Sequence, residues 1–223
     1  MYFRILLSGV ALTVLTACGG GGGGCGGGTG NGIVHSTSFS TVRAETIQLF
    51  NAVDRTSGGA AESYVQVSSL PTSDSVSYEG VVEVIQTGAP LSADGYFSPV
   101  SLTADFTSPD AAISGAADQF YRSARDTGNE GLPSTTGTAV GGSLDFDADL
   151  DSFSGTFSVN VSGSLDFDGN GSAEGSINDT LNGQFIGATN DDPEFFLASG
   201  NGISVSGAAI SSVNIGLAAE QQP

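Results

Sequence analysis

From Glu62 onward, apolar and polar side chains alternate with a period of two, run after run. Val100, Leu102, Ala104 and Phe106 interleave with Ser101, Thr103, Asp105 and Thr107. Leu144, Phe146, Ala148 and Leu150 alternate with Asp145, Asp147, Asp149 and Asp151. Phe153, Gly155, Phe157, Val159 and Val161 alternate with Ser154, Thr156, Ser158, Asn160 and Ser162. In an extended chain successive side chains leave opposite faces, so each run predicts a strand with one apolar and one wetted face. Weaker runs lie at 76–86, 111–119, 172–178, 181–186 and 203–215. Turn residues separate the runs at Ala93-Asp94-Gly95, Ser108-Pro109-Asp110, Asp168-Gly169-Asn170-Gly171 and Asn190-Asp191-Asp192-Pro193. About eight short strands of one-sided polarity predict an all-β fold, an up-and-down barrel or a sandwich. Glycines at 80, 115, 155, 163, 175 and 207 suit the bends of a small closed barrel. The apolar positions carry too little volume for a membrane-spanning barrel, and there are no aromatic girdles. The hexapeptide Gly-Ser-Leu-Asp-Phe-Asp occurs at 142–147 and again at 163–168, a feature compatible with hairpin duplication.

Ahead of the strands, residues 40–55 read as one helix. Val42, Leu49, Phe50 and Val53 form a stripe at helical spacing, Thr41 is the expected cap, Glu45 sits in the first turn, and Gly58-Gly59 ends it. The stripe is expected to pack on the domain, plugging one end of the sheet structure. Residues 121–137 lack periodicity and read as a long loop, whose Arg122 and Arg125 offset Asp118, Asp126 and Glu130.

The amino-terminus has the parts of an export signal. Arg4 and the free amine give a positive start, and residues 5–15 are apolar but too few to span a bilayer. The tetrapeptide Leu15-Thr16-Ala17-Cys18 follows, with small residues before a cysteine. It is similar to the lipobox of bacterial lipoproteins, which implies cleavage before Cys18, transfer of a diacylglycerol to its thiol and acylation of the new amine. Several acyl chains are needed for lasting anchorage. By resemblance to enterobacterial lipoproteins, Gly19 in place of Asp after Cys18 implies delivery to the outer membrane of a Gram-negative cell. Residues 19–32 are almost all glycine, a tract that cannot pack and spans about 20 Å as a random coil. With Cys18 lipidated, Cys25 has no intrachain partner, so the domain is expected to fold without disulfides.

The chain carries 24 acidic and five basic residues, a net charge of −19. Such a field repels nucleic acid and anionic lipid. No nucleic-acid partner is expected; the charge serves solubility and favours cations.

Several strand patterns resemble the transferrin-binding-protein-like lipoproteins. Val67-Ser68-Ser69-Leu70-Pro71-Thr72-Ser73 leading to Tyr78-Glu79-Gly80-Val81 is similar to the entry of their barrel. Leu102-Thr103-Ala104-Asp105-Phe106 with Ile113-Ser114-Gly115, and Phe153-Ser154-Gly155-Thr156-Phe157, continue the likeness. Leu181-Asn182-Gly183-Gln184-Phe185-Ile186-Gly187 resembles the family's Gly-x-Phe-x-Gly strand. The likeness covers about residues 68–212 through degenerate glycine–aromatic motifs. It implies an eight-stranded antiparallel up-and-down barrel on a lipidated tether. The chain has room for one barrel, without the family's two lobes and handle domains, and no counterpart of the loops that grip transferrin. Only the fold and a surface binding role carry over, with iron acquisition as their context.

Residues 166–174 space oxygen donors Asp166, Asp168, Asn170 and Glu174 at loop positions one, three, five and nine, with Gly171 at six. Calcium favours such hard oxygen ligands on a tight loop, but an EF-hand needs Glu at position twelve, which is Ile177 here. The preferred reading is a hairpin in which Asn170-Gly171 supplies positive φ. Sequence alone therefore assigns no metal ligand and no cofactor. Asp145, Asp147, Asp149 and Asp151 read as a solvated face. His35 is the single histidine, so a Ser-His-Asp triad or a zinc site is not built here.

These readings divide the chain into a signal peptide (1–17), a lipidated tether (18–32), a helical lead-in (33–61) and a barrel domain (62–217). The expected function is non-enzymatic binding of a protein or small solute by a module anchored to membrane lipid through acylated Cys18. The alternatives are a structural envelope protein stabilised by calcium and a carboxylate-based hydrolase. Ligand, membrane face and oligomeric state are not readable from the sequence.

Overall fold

The structure, a computed structural model, describes residues 38–54, 65–67, 69–71, 74–90, 93–107, 111–126, 132–150, 155–187 and 192–222. Cys18, the glycine tract, Cys25, His35, Arg55 and Gly58-Gly59 lie outside them. Among the described residues, one helix, α1 (Phe39–Asp54), precedes twelve strands. These are β1 (Val65–Gln66), β2 (Ser75–Gln86), β3 (Asp94–Asp105), β4 (Ala112–Ala117), β5 (Tyr121–Asp126), β6 (Leu132–Pro133), β7 (Thr138–Ala139), β8 (Gly142–Asp149), β9 (Thr156–Leu165), β10 (Gly175–Gly187), β11 (Phe195–Ser206) and β12 (Ser212–Gln221).

Eight strands close a barrel. In spatial order β2, β3, β4, β8, β9, β10, β11 and β12 each pair antiparallel with the next, and β12 returns to β2 through Ala218↔Val81. Hydrogen-bonded neighbours follow chain order round the ring, which is the up-and-down form. Strand boundaries differ from the sequence reading: β3 begins at Asp94, inside the expected Ala93-Asp94-Gly95 turn and ahead of the expected run at Val100. Residues 175–178 of the first run and the whole run 181–186 belong to one strand, β10, while 172–174 lie in the loop before it, and the run 203–215 holds a turn that separates β11 from β12. Gly155 and Gly207, both at positive φ, stand just outside β9 and β11.

Residues 121–137 are not one loop. β5 pairs with β3 through Phe97↔Tyr121 while β4 pairs with β3 through Ser101↔Ala116, so β5 prolongs β4 past a break at Asp118-Gln119-Phe120. β6 and β7 pair back onto β5. The segment lacked an apolar rhythm because a buried position is polar: Ser123 is 3% exposed and donates to the Thr136 carbonyl at 2.8 Å.

Inward positions follow the alternation. Tyr78, Val82 and Val84 of β2 join Leu102 and Ala104 of β3, Leu144 and Phe146 of β8, and Val159 and Val161 of β9 in one core. Phe185 lies at its aromatic end, with ring centroids 5.4 to 5.8 Å from Phe157, Phe196, Phe106 and Tyr78. A tyrosine secures a loop at each mouth. Tyr78 donates its hydroxyl to the Pro193 carbonyl, and Tyr96, near the other end, donates to the Phe167 carbonyl at 2.8 Å. On β8 the outward Ser143, Asp145, Asp147 and Asp149 are exposed, the reverse of a barrel whose outside meets lipid. Among the described residues no helix is long and apolar enough to cross a membrane.

α1 does not plug an end. Val42 and Leu49 pack with Val81, Phe97, Ile186 and Phe195 in a second core on the outside of the wall. β2 and β3 carry large apolar residues on both faces there, and an apolar outer stripe is stable only when another layer covers it. The helix begins one turn earlier than its expected cap. Thr41 lies inside the first turn, and the Ser38 carbonyl accepts from Thr41 N at 2.9 Å and Val42 N at 3.3 Å.

Candidate functional site

The β9–β10 connection is built on a buried aspartate. Leu165 pairs with Gly175, and residues 166–174 loop out between them. The two carboxylate oxygens of Asp166 divide the loop's amides: Oδ1 accepts from Gly169 N at 2.7 Å and Asn170 N at 3.2 Å, and Oδ2 from Gly171 N at 2.7 Å. The chain can wrap one carboxylate so closely because Gly169 and Gly171 take φ of 77° and 92°, where a side chain is strained. Asn170 is not among the positive-φ residues, so the two-residue Asn-Gly hairpin gives way to a wider loop. Further along, Asp168 accepts from Asn170 N and Nδ2, both at 2.9 Å, and Asn170 Oδ1 accepts from Ser172 N at 2.8 Å.

Phe167 turns the other way and enters the barrel mouth. Its ring meets Tyr96 edge-on at 5.1 Å, and its amide donates to Glu174 Oε1 at 3.1 Å. The loop is thus held by an aromatic plug on one side and by carboxylates on the other. Asp166, Asp168 and Glu174 each bring a carboxylate oxygen within 4.8 Å of the other two. Asp166 is 1% exposed. Burial pushes its carboxyl up, but the amides of Gly171, Gly169 and Asn170 and the Asp168 side chain outweigh burial and hold it below the usual range. Of the four oxygen-bearing residues noted in the sequence, the fold gathers these three carboxylates. Asp145, Asp147 and Asp149 stay on the exposed outer face of β8, where Asp147 accepts from Asn160 Nδ2 at 2.8 Å.

Beside the loop lies a polar recess of about 400 Å³, lined by Asp94, Arg122, Thr136, Thr138, Asp168 and Gly169 among others. Arg122 Nε is 2.6 Å from Asp94 Oδ2. Burial pushes the Tyr96 hydroxyl up, a shift that Arg122 opposes. Both arginines expected to offset Asp118, Asp126 and Glu130 thus have partners on other strands, since Arg125 Nε is 3.6 Å from Glu83 Oε1. No sequence signal marked Asp94 or Tyr96, because their roles arise from β3 meeting β5 and the 166–174 loop.

A second hollow of about 380 Å³ lies outside the wall beneath α1, lined by Thr46, Leu49, Val81, Glu83, Leu197 and Ala218 among others. Burial pushes the Glu83 carboxyl up to about 7, against the pull of Arg125. Glycine at position 95 leaves room for two neighbours: a Cβ there would sit 2.9 Å from the Phe97 ring and 3.3 Å from Arg125 Cδ.

Fold and loop define a class of molecule: an eight-stranded up-and-down barrel filled by its own side chains, with an acidic loop at one mouth. No protein-family model and no curated protein matches the chain.

Proposed function

We propose that the chain is a lipid-anchored, non-enzymatic barrel of a Gram-negative outer membrane, binding a protein or small solute through the loops at one mouth. The anchor is acylated Cys18, reached through the glycine tract. The observation that carries the binding reading is where the polar groups lie. Tyr78, Phe106, Phe146, Phe185 and Phe196 fill the barrel, while Asp94, Arg122, Thr136, Thr138 and Asp168 meet around one recess at its rim. A concavity at which several polar groups converge can fix the orientation of a polar ligand. The motif likeness to transferrin-binding-protein-like lipoproteins supports a tethered barrel and makes iron-acquisition proteins the first partners to test.

Two measurements test the proposal. Metabolic palmitate labelling and detergent phase partition are expected to mark the wild type and not Cys18→Ala; an unlabelled wild type overturns the anchor. Pull-down from outer-membrane extract and growth medium is expected to retain a partner on the wild type and lose it on Arg122→Glu. Retention by both forms, or by neither, overturns the recess as the binding site. Turnover of a glycan or ester panel that disappears with one carboxylate substitution would show an enzyme instead.

A further inference from the structure

We propose that the hollow beneath α1 binds an amphipathic amine, with the cationic head at Glu83 and the apolar body along Leu49, Val81, Leu197 and Ala218. The hollow lies on the outside of the wall, and among the described residues it shares no lining residue with the recess at the barrel mouth. Its volume of about 380 Å³ falls within the range of about 300–1,000 Å³ for small-molecule sites, which join an apolar lining to a few placed polar groups.

Two neighbouring rows of outward residues, read straight across the strands, form its floor. In one, Glu83 of β2 stands opposite Gly216 of β12, and Gly216 opposite Ser199 of β11. In the other, Val81 stands opposite Ala218, and Ala218 opposite Leu197. Opposed residues share a face of the sheet, so the first row is polar and the second apolar. Leu49 of α1 packs in one cluster with Val81, and Leu197 and Ala218 lie against that cluster. Room remains beside Glu83 because its neighbour on β12 has no side chain: a Cβ on Gly216 would meet nothing within 4 Å.

The charge of the lining selects the head group. Glu83 is its one charged residue among the described residues. Arg125 comes from the other side of β2, with its Cδ close to Gly95 of β3, and its Nε stands 3.6 Å from Glu83 Oε1, longer than a hydrogen bond. The Glu83 side chain stays 33% exposed, so a ligand in the hollow can reach it. Burial pushes this carboxyl up to about 7 against the pull of Arg125, which means that its ionised form lacks the partners water would give. An ammonium group supplies both donors and a compensating charge. A ligand carboxylate would be repelled by Glu83 and by a chain of net charge −19. A neutral head would leave the ion uncompensated.

The test is equilibrium dialysis of n-octylamine, n-octanol and octanoate against the full chain in phosphatidylcholine discs, with empty discs as the reference. A pH of about 8 keeps Glu83 mostly ionised and the amine protonated. Saturable binding of one octylamine per chain is expected, about tenfold tighter than octanol, the scale of one charge-assisted hydrogen bond. Octanoate is expected to bind more weakly than either. Glu83→Gln is expected to bring octylamine down to the affinity of octanol. Gly216→Val fills the floor at a position with open space, and is expected to abolish saturable binding of octylamine and octanol alike. Melting curves check that the variants fold, and Glu83→Gln decides the matter alone should Gly216→Val not. Uptake no greater than by empty discs, octanol or octanoate binding as tightly as octylamine, or undiminished octylamine binding by folded Glu83→Gln would overturn the assignment.

Discussion

Leu144 of β8 stands directly opposite Gly163 of β9, and two residues along the ladder Leu165 stands opposite Gly142. Opposed residues share a face of the sheet, so each leucine lies over a glycine. The Gly-Ser-Leu halves of the repeated hexapeptide therefore pair with each other, antiparallel, and both leucines are fully buried. Gly163 has φ of 148°, and a Cβ there would lie 2.0 Å from the Ser143 carbonyl oxygen. Gly163→Ala is expected to destabilise the chain by roughly 2–4 kcal/mol through strain and backbone displacement. Gly216 has open space, with nothing within 4 Å of an added Cβ, so Gly216→Ala is expected within about 0.5 kcal/mol of wild type. Equal urea midpoints for the two variants would refute the close approach.

Phe185 contacts four other aromatic rings and is fully buried. Phe185→Ala removes the shared partner of that group, and about 3–5 kcal/mol of stability is expected to be lost in the transfer and cavity costs. Phe185→Leu keeps most of the volume and is expected to lose less. A denaturation series ranking the two alike would show that this end of the barrel collapses freely.

Leu49 tests how α1 is held. It is 5% exposed against the outer wall, and Leu49→Ala is expected to cost about 2–5 kcal/mol if helix and barrel unfold together. Should the helix detach alone, hydrogen exchange would rise in α1 while the β2 amides stayed protected.

Two acids tilt stability in opposite pH ranges. The folded Glu83 carboxyl sits at about 7, above its ordinary value of 4.5. The folded state thus holds a proton that the unfolded chain gives up, and this contribution, complete below 4.5, is lost as pH rises through about 7. Glu83→Gln is expected to flatten the fall of Tm between those values. Asp166 is the reverse case. Its folded carboxyl lies below the ordinary 3.8, so its contribution is present above that value and is lost as pH falls through the folded one. Asp166→Asn is expected to lower Tm at neutral pH and to weaken the acid-side decline. Parallel pH curves for wild type and both variants would remove these groups from the account.

Much of the barrel was legible in the residues. Period-two alternation marks which face of a strand is buried, as for Leu144, Phe146 and Ala148, because the pleat alone sets that geometry. The signal is weaker where burial is polar or two-sided. Ser123 is buried without being apolar, and Val81 with Val82 places bulk on both faces of β2, which blurs the alternation there.

The repeated hexapeptide draws the line between local and tertiary information. Asp145-Phe146-Asp147 continues a strand with its acids in water, whereas Asp166-Phe167-Asp168 leaves β9, buries the first acid and sends the phenylalanine into the barrel mouth. The same three residues diverge partly because Gly169 and Gly171 permit the turn, which is written in the chain. That Glu174 returns beside the two aspartates, that Tyr96 anchors Phe167 and that Arg122 faces Asp94 was decided only when β3, β5 and the loop came together. Alternation and turns are properties of neighbours along the chain; a site assembled from distant strands depends on ring closure, whose register no local stretch specifies.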